Sequence, residues 1–543
     1  MAVSGIDAAG LLRPGEADDL SMAGNLIASF LAVLSGPDGT GHDQGLRFLE
    51  GMKGTAWDGA SRFLLDGASL AVGEIESRYI NDERFRGHFD ALHDAVSGGR
   101  QNRSITDLVW GVFFPEGVVG DDRLAAVSSL REKRTIRITG LNPEPVRAPG
   151  REVLFTANAL LTVPASKSCL DALEGSMRAA AEAALKEEQL HWFDHPVPVG
   201  TPAGRNELVH GLRCLSEAAR FEELAGNKDP DRDIECVISV SVTHRGLRGI
   251  ARPWLESLLQ GGEAARGIRL HAFTEEDTAQ LLDDILIPAA RHYARGSNDM
   301  SLREVFGVDG EYGRHYNFLK AIARFWNVFI SPEIRATFKI DLDQAFPQEE
   351  LVAGTGTSAF GHLCTPLWGA RGTDSGGEAV YLGAIAGALV NRKDIGASIF
   401  TPDVPFPPSA PGGDEVVFRS AVPQALSTEA EMMTRYGEGL GHDGRTSCIQ
   451  RVHVTGGTTG ILVEALKRYR PFTPSCVGRA EDQAYILSAL YRPGERGFLR
   501  YVHEPGLVMR HDADLFADTA DAARTGKTLG DYVRILLFSG YAR

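Results

Sequence analysis

Two aspartates lie one residue apart in the segment FKIDLDQAFP (338–347), directly after an apolar run. In a strand, side chains two positions apart point to the same face, so the carboxylates of Asp341 and Asp343 would repel each other without a cation between them. Mg²⁺ and Mn²⁺ prefer oxygen ligands and keep positions for water and substrate phosphates. The spacing therefore predicts a divalent-metal site, and the alternative is a solvated turn in which an aspartate caps the next helix.

Strands and helices alternate from about residue 135 onward and would position these aspartates. Strand-like runs occur at 151–164, 235–246 and 267–275, and amphipathic helices lie between them. This alternation predicts an α/β fold, a mostly parallel sheet flanked by helices, in which ligands bind at the carboxyl ends of the strands. Residues 351–425 are rich in Gly, Pro, Ser and Thr, and we interpret them as a long insertion that supplies a lid or binding loop.

The region before residue 135 differs from the rest of the chain. Residues 20–130 carry apolar side chains at helical spacing. We therefore predict a helical N-terminal region (1–134) with a structural or oligomerising role, which would support a homo-oligomer, and a catalytic domain (135–543).

Composition and charge exclude several classes of protein. The chain has 543 residues and a net charge of −16, which is unfavourable for holding a nucleic-acid backbone. Its six cysteines form no CxxC pair, and scattered thiols fit a reducing compartment. The N-terminus lacks the features of a secretory signal, and no apolar run approaches the roughly 18 residues of a membrane span. These observations predict a cytoplasmic protein.

Two further segments carry residues suited to chemistry. The segment HVTGGTTGILVEALKRY (453–469) reads as a Gly/Thr loop that opens a helix, so an anionic group of an acceptor could bind near Thr458 and Thr459. The segment CVGRAEDQAYILSAL (476–490) places Glu481 and Asp482 together. The alternatives are an ordinary capped turn for the first segment, and acids stabilised by a helix dipole for the second.

The segment from 312 to 347 resembles the central signature of the GT-A glycosyltransferases. That signature has a basic residue, then an asparagine on a helix, then a strand that ends in DxD, here matched by Arg314, Asn317, Asp341 and Asp343. The resemblance implies a GT-A (Rossmann-like) sheet and a Mg²⁺ or Mn²⁺ ion that holds a nucleotide-sugar diphosphate.

Other segments extend this resemblance over roughly residues 190 to 515. VPVGTPAGRNE (197–207) is similar to the first nucleoside-binding turn of the family. On this resemblance, the residues implied in binding the donor nucleotide are Pro202, Asn206, Glu207 and Thr243. The turn departs from the family in its extra Gly-Arg before Asn206, and the strand that precedes Thr243 ends in Thr-His-Arg where the family often has acids.

Residues later in the chain resemble the family's motifs near the acceptor and the metal. Glu481 and Asp482 resemble the second acidic motif, one carboxylate of which is the general base in inverting members. His511 resembles the late histidine that is a third metal ligand in retaining members of the mannosylglycerate and glucosyl-3-phosphoglycerate synthase type. The sequence therefore leaves open whether the anomeric configuration of the transferred sugar is inverted or retained.

The leading hypothesis is a metal-dependent glycosyltransferase that moves a sugar from a UDP- or GDP-sugar to a hydroxyl acceptor, with anionic acceptors included. A sugar-phosphate nucleotidyltransferase is the first alternative, with GTPAGRN (200–206) as its phosphate loop. A phosphatase of the haloacid dehalogenase type is disfavoured, because Gln344 and Ala345 follow the motif where that class has Gly-Thr. The non-enzymatic alternative is a scaffold with a degenerate sheet domain.

Overall fold

The structure, a computed structural model, describes most of the chain with several gaps. The described residues are 19–34, 41–96, 105–113, 122–187, 196–260, 262–294, 299–306, 314–323, 325–408, 421–454, 456–469 and 498–516.

Helices occupy both ends of this described part and the connections between strands. They are α1 (Asp19–Leu34), α2 (His42–Gly51), α3 (Asp58–Asn81), α4 (Glu83–Val96), α5 (Ile105–Phe113), α6 (Arg123–Arg134), α7 (Pro149–Glu152), α8 (Lys167–Asp171), α9 (Gly175–Ala184), α10 (Glu207–Leu224), α11 (Arg248–Leu258), α12 (Glu275–Leu281), α13 (Ile287–Tyr293), α14 (Asp299–Phe306), α15 (Arg314–Ile322), α16 (Trp326–Phe329), α17 (Gln348–Thr355), α18 (Ala359–Leu363), α19 (Ala421–Ser427) and α20 (Val463–Tyr469).

The strands of the described residues form one continuous sheet. They are β1 (Thr135–Gly140), β2 (Val153–Thr162), β3 (Val197–Pro198), β4 (Ile234–Val242), β5 (Ile268–Thr274), β6 (Ala336–Ile340), β7 (Gln344–Ala345), β8 (Arg371–Thr373), β9 (Ala379–Asn391), β10 (Ser447–Arg451), β11 (Thr458–Leu462) and β12 (Phe498–His511).

The chain divides into two compact units. Helices α1 to α5 belong to the first, where Leu26, Phe30, Leu49 and Leu64 form part of an apolar core. The second unit begins at Asp122 and contains the whole sheet together with α6. The domain boundary predicted at residue 134 stays a prediction.

One half of the sheet is parallel, in the order β5–β4–β2–β6. Strands β2, β4 and β6 are buried along nearly their whole length, as expected for parallel strands covered on both faces. Their carboxyl ends lie at one edge, and Thr243 beyond β4 donates a hydrogen bond to Thr162 at the end of β2 (Oγ1 to Oγ1, 2.8 Å). Asp341 and Asp343 follow β6 at this edge.

The other half of the sheet overturns the predicted fold class. Strand β11 is antiparallel to both β6 and β9, and antiparallel pairings outnumber parallel ones across the sheet. Strands β9, β8, β1, β10 and β12 also close into a five-stranded ring, because β12 pairs with β9. The prediction of a mostly parallel, Rossmann-like GT-A sheet is therefore wrong.

The Gly-rich segment 351–425 contributes much of this ring. It contains α18, β8, β9 and most of α17, and ten of the 13 residues of β9 are paired with β8, β11 or β12. A Cβ atom on Gly387 of β9 would lie 1.9 Å from the Leu507 carbonyl oxygen, so glycine is required where the strands approach. Residues 371–373 and 379–391 of the segment interpreted as a lid or binding loop (351–425) are thus strands, and Gly387 allows close strand contact.

Candidate functional site

The two aspartates lie in a turn at the end of β6. Asp343 is buried, whereas the Asp341 side chain is about one-third exposed. The buried Lys339 ammonium lies 3.7 Å from Asp341 Oδ1, and Gln344 donates from Nε2 to Asp341 Oδ2 (3.3 Å). The Asp341 carboxylate is thus held by the Lys339 ammonium and the Gln344 amide, and part of the Asp341 side chain remains accessible.

His511 connects the end of β12 to the second aspartate. Its Nε2 lies 3.1 Å from Asp343 Oδ2, and His511 is directly opposite Gln344 in the antiparallel pairing of β12 with β7. Burial alone would lower the pKa of His511, but the hydrogen bond to Asp343 and the charges of Asp341 and Asp403 outweigh it and raise the pKa. His511 thus lies beside Asp343, and its role as a metal ligand stays a prediction.

Asp403 is a third carboxylate in this region, and the sequence analysis did not identify it. Its charge acts on His511, and burial raises the pKa of the Asp403 carboxyl. Its backbone carbonyl accepts a hydrogen bond from Asn391 Nδ2 (3.0 Å), and Asn391 pairs with His511 across β9 and β12. The only sequence signal was an acid within the Pro-rich run FTPDVPFPP (400–408).

A second polar cluster lies immediately beyond His511. Asp512 accepts from Arg510 through both oxygens (2.7 and 2.8 Å) and lies 3.1 Å from His210 Nε2 on α10. Cys214 Sγ lies 3.5 Å from the same His210 nitrogen. Because Cys214 and Asp512 contact one ring nitrogen, the three residues do not form a Cys–His–Asp relay, which needs both nitrogens.

These three residues are also the one group within the described ranges whose His, Cys and carboxylate atoms all lie within 4.8 Å of one another. Arg510 already uses both oxygens of Asp512, so a cation there would displace an ion pair. We therefore interpret this cluster as a structural anchor. The Asp512 N–H donates to the Asp343 carbonyl (2.7 Å), which connects the anchor to the aspartate turn.

The anchor makes the free energy of unfolding depend on pH in the alkaline range. The hydrogen bond to Asp512, with a smaller effect of Cys214, raises the pKa of His210 to about 9, although burial opposes this. The Arg213 guanidinium lies 3.4 Å from Nδ1 of the same ring. A raised pKa gives stability that is complete below the unfolded value of about 6.5 and is lost as pH rises through about 9. We expect wild type to lose on the order of 2 kcal/mol between pH 6.5 and 9.5, measured by urea unfolding.

His210→Gln should remove most of that loss, whereas His271→Gln should leave it in place. His271 is more than half exposed and pairs only with Glu235 at the surface. A His210→Gln variant with the same alkaline slope as wild type would contradict this assignment.

The residues predicted to contact the nucleotide have mainly local roles. Asn206 is the N-cap of α10 and accepts from the Leu208 N–H (3.0 Å), and Glu207 lies in the first turn of that helix. Pro202 is exposed in the preceding turn, and Thr243 is buried against Thr162 and His244. Asn206, Glu207 and Thr243 lie near the carboxyl ends of the parallel strands, and their contact with a nucleotide stays a prediction.

Thr458 and Thr459 do not lie where the sequence placed them. They begin strand β11, opposite Ile340 and Lys339 of β6, and both are buried. The helix begins only at Val463. The expectation that these threonines form a helix N-terminus is wrong, because the Gly/Thr run pairs as an inner strand.

Other residues predicted to form the site lie partly or wholly outside the part of the chain that the structure describes. Arg314 and Asn317 lie on α15, as predicted, and their side chains lie outside the described part. Glu481 and Asp482 lie outside the described residues altogether.

Comparison with known proteins adds no assignment. No family model matches the chain, and neither a curated protein nor a solved structure matches it. None of the described helices combines the length and apolar character needed to cross a membrane.

The donor set around Asp343 suits a hard divalent cation. Asp341, Asp343 and Asp403 offer carboxylate oxygens, and His511 offers an imidazole, a combination that Mg²⁺ and especially Mn²⁺ accept. Their atoms are not gathered as tightly as the anchor cluster, so a cation would draw the side chains together.

Proposed function

We propose that this protein is a divalent-metal-dependent glycosyltransferase that moves a sugar from a nucleoside-diphosphate sugar to a hydroxyl acceptor. One observation carries the proposal. Asp341 and Asp343 follow the inner strand β6 at the edge where parallel strands end, and His511 contacts Asp343 there (3.1 Å). Ligands of parallel α/β sheets bind at that edge.

Each described residue of this site has a role in the proposal. Asp341, Asp343 and His511 would hold Mg²⁺ or Mn²⁺, which when bound supplies a positive charge for the leaving diphosphate. Lys339 and Gln344 would hold the Asp341 carboxylate in place through an ion pair and a hydrogen bond. Asp512, through its N–H bond to the Asp343 carbonyl, holds the turn against β12.

The remaining parts of the proposal rest on the sequence. A UDP- or GDP-sugar is the proposed donor, and Glu481 or Asp482 is the proposed base that takes the proton of the acceptor hydroxyl. The described cysteines are free thiols, which supports a reducing, cytoplasmic location.

Replacing Asp341 tests the proposal most directly. The purified protein is incubated with a panel of UDP- and GDP-sugars, an acceptor mixture and Mn²⁺, and released nucleoside diphosphate is measured. We expect release by wild type and at least about 100-fold less by Asp341→Ala, because a preorganised charge at the leaving group is lost.

The matched control is Asp231→Ala. Asp231 is exposed and lies before the start of β4, at the opposite edge of the parallel strands. It should release diphosphate at the wild-type rate. Equal rates for Asp341→Ala and wild type would overturn the proposal, and so would formation of pyrophosphate from a nucleoside triphosphate and a sugar phosphate in place of diphosphate release.

A further inference from the structure

A hydrogen bond from the last residue of β9 holds Asp403 in the region of the turn that contains Asp341 and Asp343. Asn391, the last residue of β9, donates from Nδ2 to the Asp403 carbonyl (3.0 Å). Asn391 is also the partner of His511 in the parallel pairing of β9 with β12, and the Arg392 N–H donates to the His511 carbonyl (3.0 Å). The chain between Asn391 and Asp403 therefore leaves the sheet and returns to the same strand end.

The Asp403 carboxylate carries an oxygen that nothing in the described part of the chain satisfies. Its Oδ1 is buried and accepts no hydrogen bond from a described residue. The nearby Arg451 directs its N–H groups to the carbonyls of Gly387 and His453 and lies 3.6 Å from Glu431. An unsatisfied buried acceptor is destabilising, and more so when it is charged, unless a bound ligand satisfies it.

A second unsatisfied oxygen belongs to Gln344, across the pairing from His511. Gln344 is 3 % exposed, its Nε2 donates to Asp341, and its Oε1 is buried with no donor within the described residues. A Cβ on Gly457 would lie 2.3 Å from this oxygen, so the glycine leaves room for the amide. Both oxygens thus belong to residues close to His511 in the sheet, because Gln344 and Asn391 are its two strand partners and Asn391 holds Asp403.

We propose that Asp403 is a fourth ligand of the divalent cation assigned above to Asp341, Asp343 and His511. Four protein ligands leave two of the six positions of a hard cation for oxygens of a diphosphate or for water. A bound water would also provide the donor that Gln344 Oε1 lacks. The assignment rests on the proposed function in that both invoke one cation, and it explains why the chain returns to the end of β9.

Metal binding without any sugar substrate tests this assignment. Free Mn²⁺ is titrated by electron paramagnetic resonance against the full chain, and thermal unfolding is recorded with and without Mn²⁺. We expect Asp403→Asn to weaken Mn²⁺ binding at least about tenfold and to reduce the Mn²⁺-dependent rise in Tm. Without metal, this variant should be about as stable as wild type, because burial disfavours the Asp403 charge that it removes.

Asp394→Asn is the matched control. Asp394 lies on the same stretch of chain and contacts the same Asn391 side chain (3.2 Å), but its Oδ2 is satisfied by that bond. It should bind Mn²⁺ as wild type does. Wild-type affinity in Asp403→Asn would overturn the assignment and leave the glycosyltransferase proposal to the diphosphate assay.

The two proposals can therefore fail separately. Weaker Mn²⁺ binding by Asp403→Asn, together with no diphosphate release by wild type, would support the ligand and overturn the transferase. An absence of Mn²⁺ binding by wild type would overturn both.

Discussion

Replacing Asp512 by alanine is expected to lower the free energy of unfolding by about 3–5 kcal/mol, because it leaves the buried His210 and the partly buried Arg510 without their counter-ion. The Asp512 side chain is 1 % exposed, and it accepts from Arg510 through both oxygens and lies 3.1 Å from His210. Burial opposes its ionisation, yet hydrogen bonds from Arg510 and His210 lower the pKa of Asp512 to about 2. Urea unfolding followed by tryptophan fluorescence measures the loss.

An exposed ion pair provides the comparison. Arg178 and Glu182 are one turn apart on α9 and nearly half exposed, so Glu182→Ala should cost only about 0.5 kcal/mol. If Asp512→Ala were no more destabilising than Glu182→Ala, the anchor between α10 and the end of β12 would not be a stabilising element.

Gly211→Ala is expected to displace the turn that contains Asp341 and Asp343, because Gly211 of α10 lies against Leu342 in that turn. Gly211 lies on α10, and a Cβ there would lie 2.7 Å from Leu342 Cα and 2.8 Å from its carbonyl oxygen. Leu342 is the residue between the two aspartates, so the added methyl group must push their backbone away. We expect a loss of about 1–3 kcal/mol in stability, and about a 100-fold loss in diphosphate release if the ligands move by about 1 Å.

The control is the same substitution at an open helical position. Gly249 lies on α11, is exposed, and its Cβ would have only the Glu276 carboxylate near it, at 3.8 Å. Gly249→Ala should be neutral, or stabilising by up to about 1 kcal/mol, since alanine favours helix. Wild-type stability and wild-type activity in Gly211→Ala would show that α10 does not position the turn.

Local pattern was sufficient to locate part of the candidate site. A buried strand followed at once by polar residues is a short-range signal, and it correctly placed Asp341 and Asp343 just beyond β6. The same reasoning placed His511 at the end of a strand, now β12. Asn206 also showed its position locally, at the start of a helix that it caps. These features depend on a few neighbouring residues, which is why the amino-acid order alone predicts them.

Contacts between distant segments determined the position of Asp403 and the direction and partners of the strands. Asp403 lies in a Pro-rich run without periodicity, and only its bond to Asn391, and the pairing of Asn391 with His511, brings it to the aspartates. Gly387 and Gly460 suggested loops by composition, yet both occupy strands where neighbouring atoms leave no room for a side chain. Strand direction and partner are decided by contacts between distant segments, which residue periodicity does not encode. The sheet was therefore predicted as mostly parallel, while the folded chain closes five of its strands into a ring.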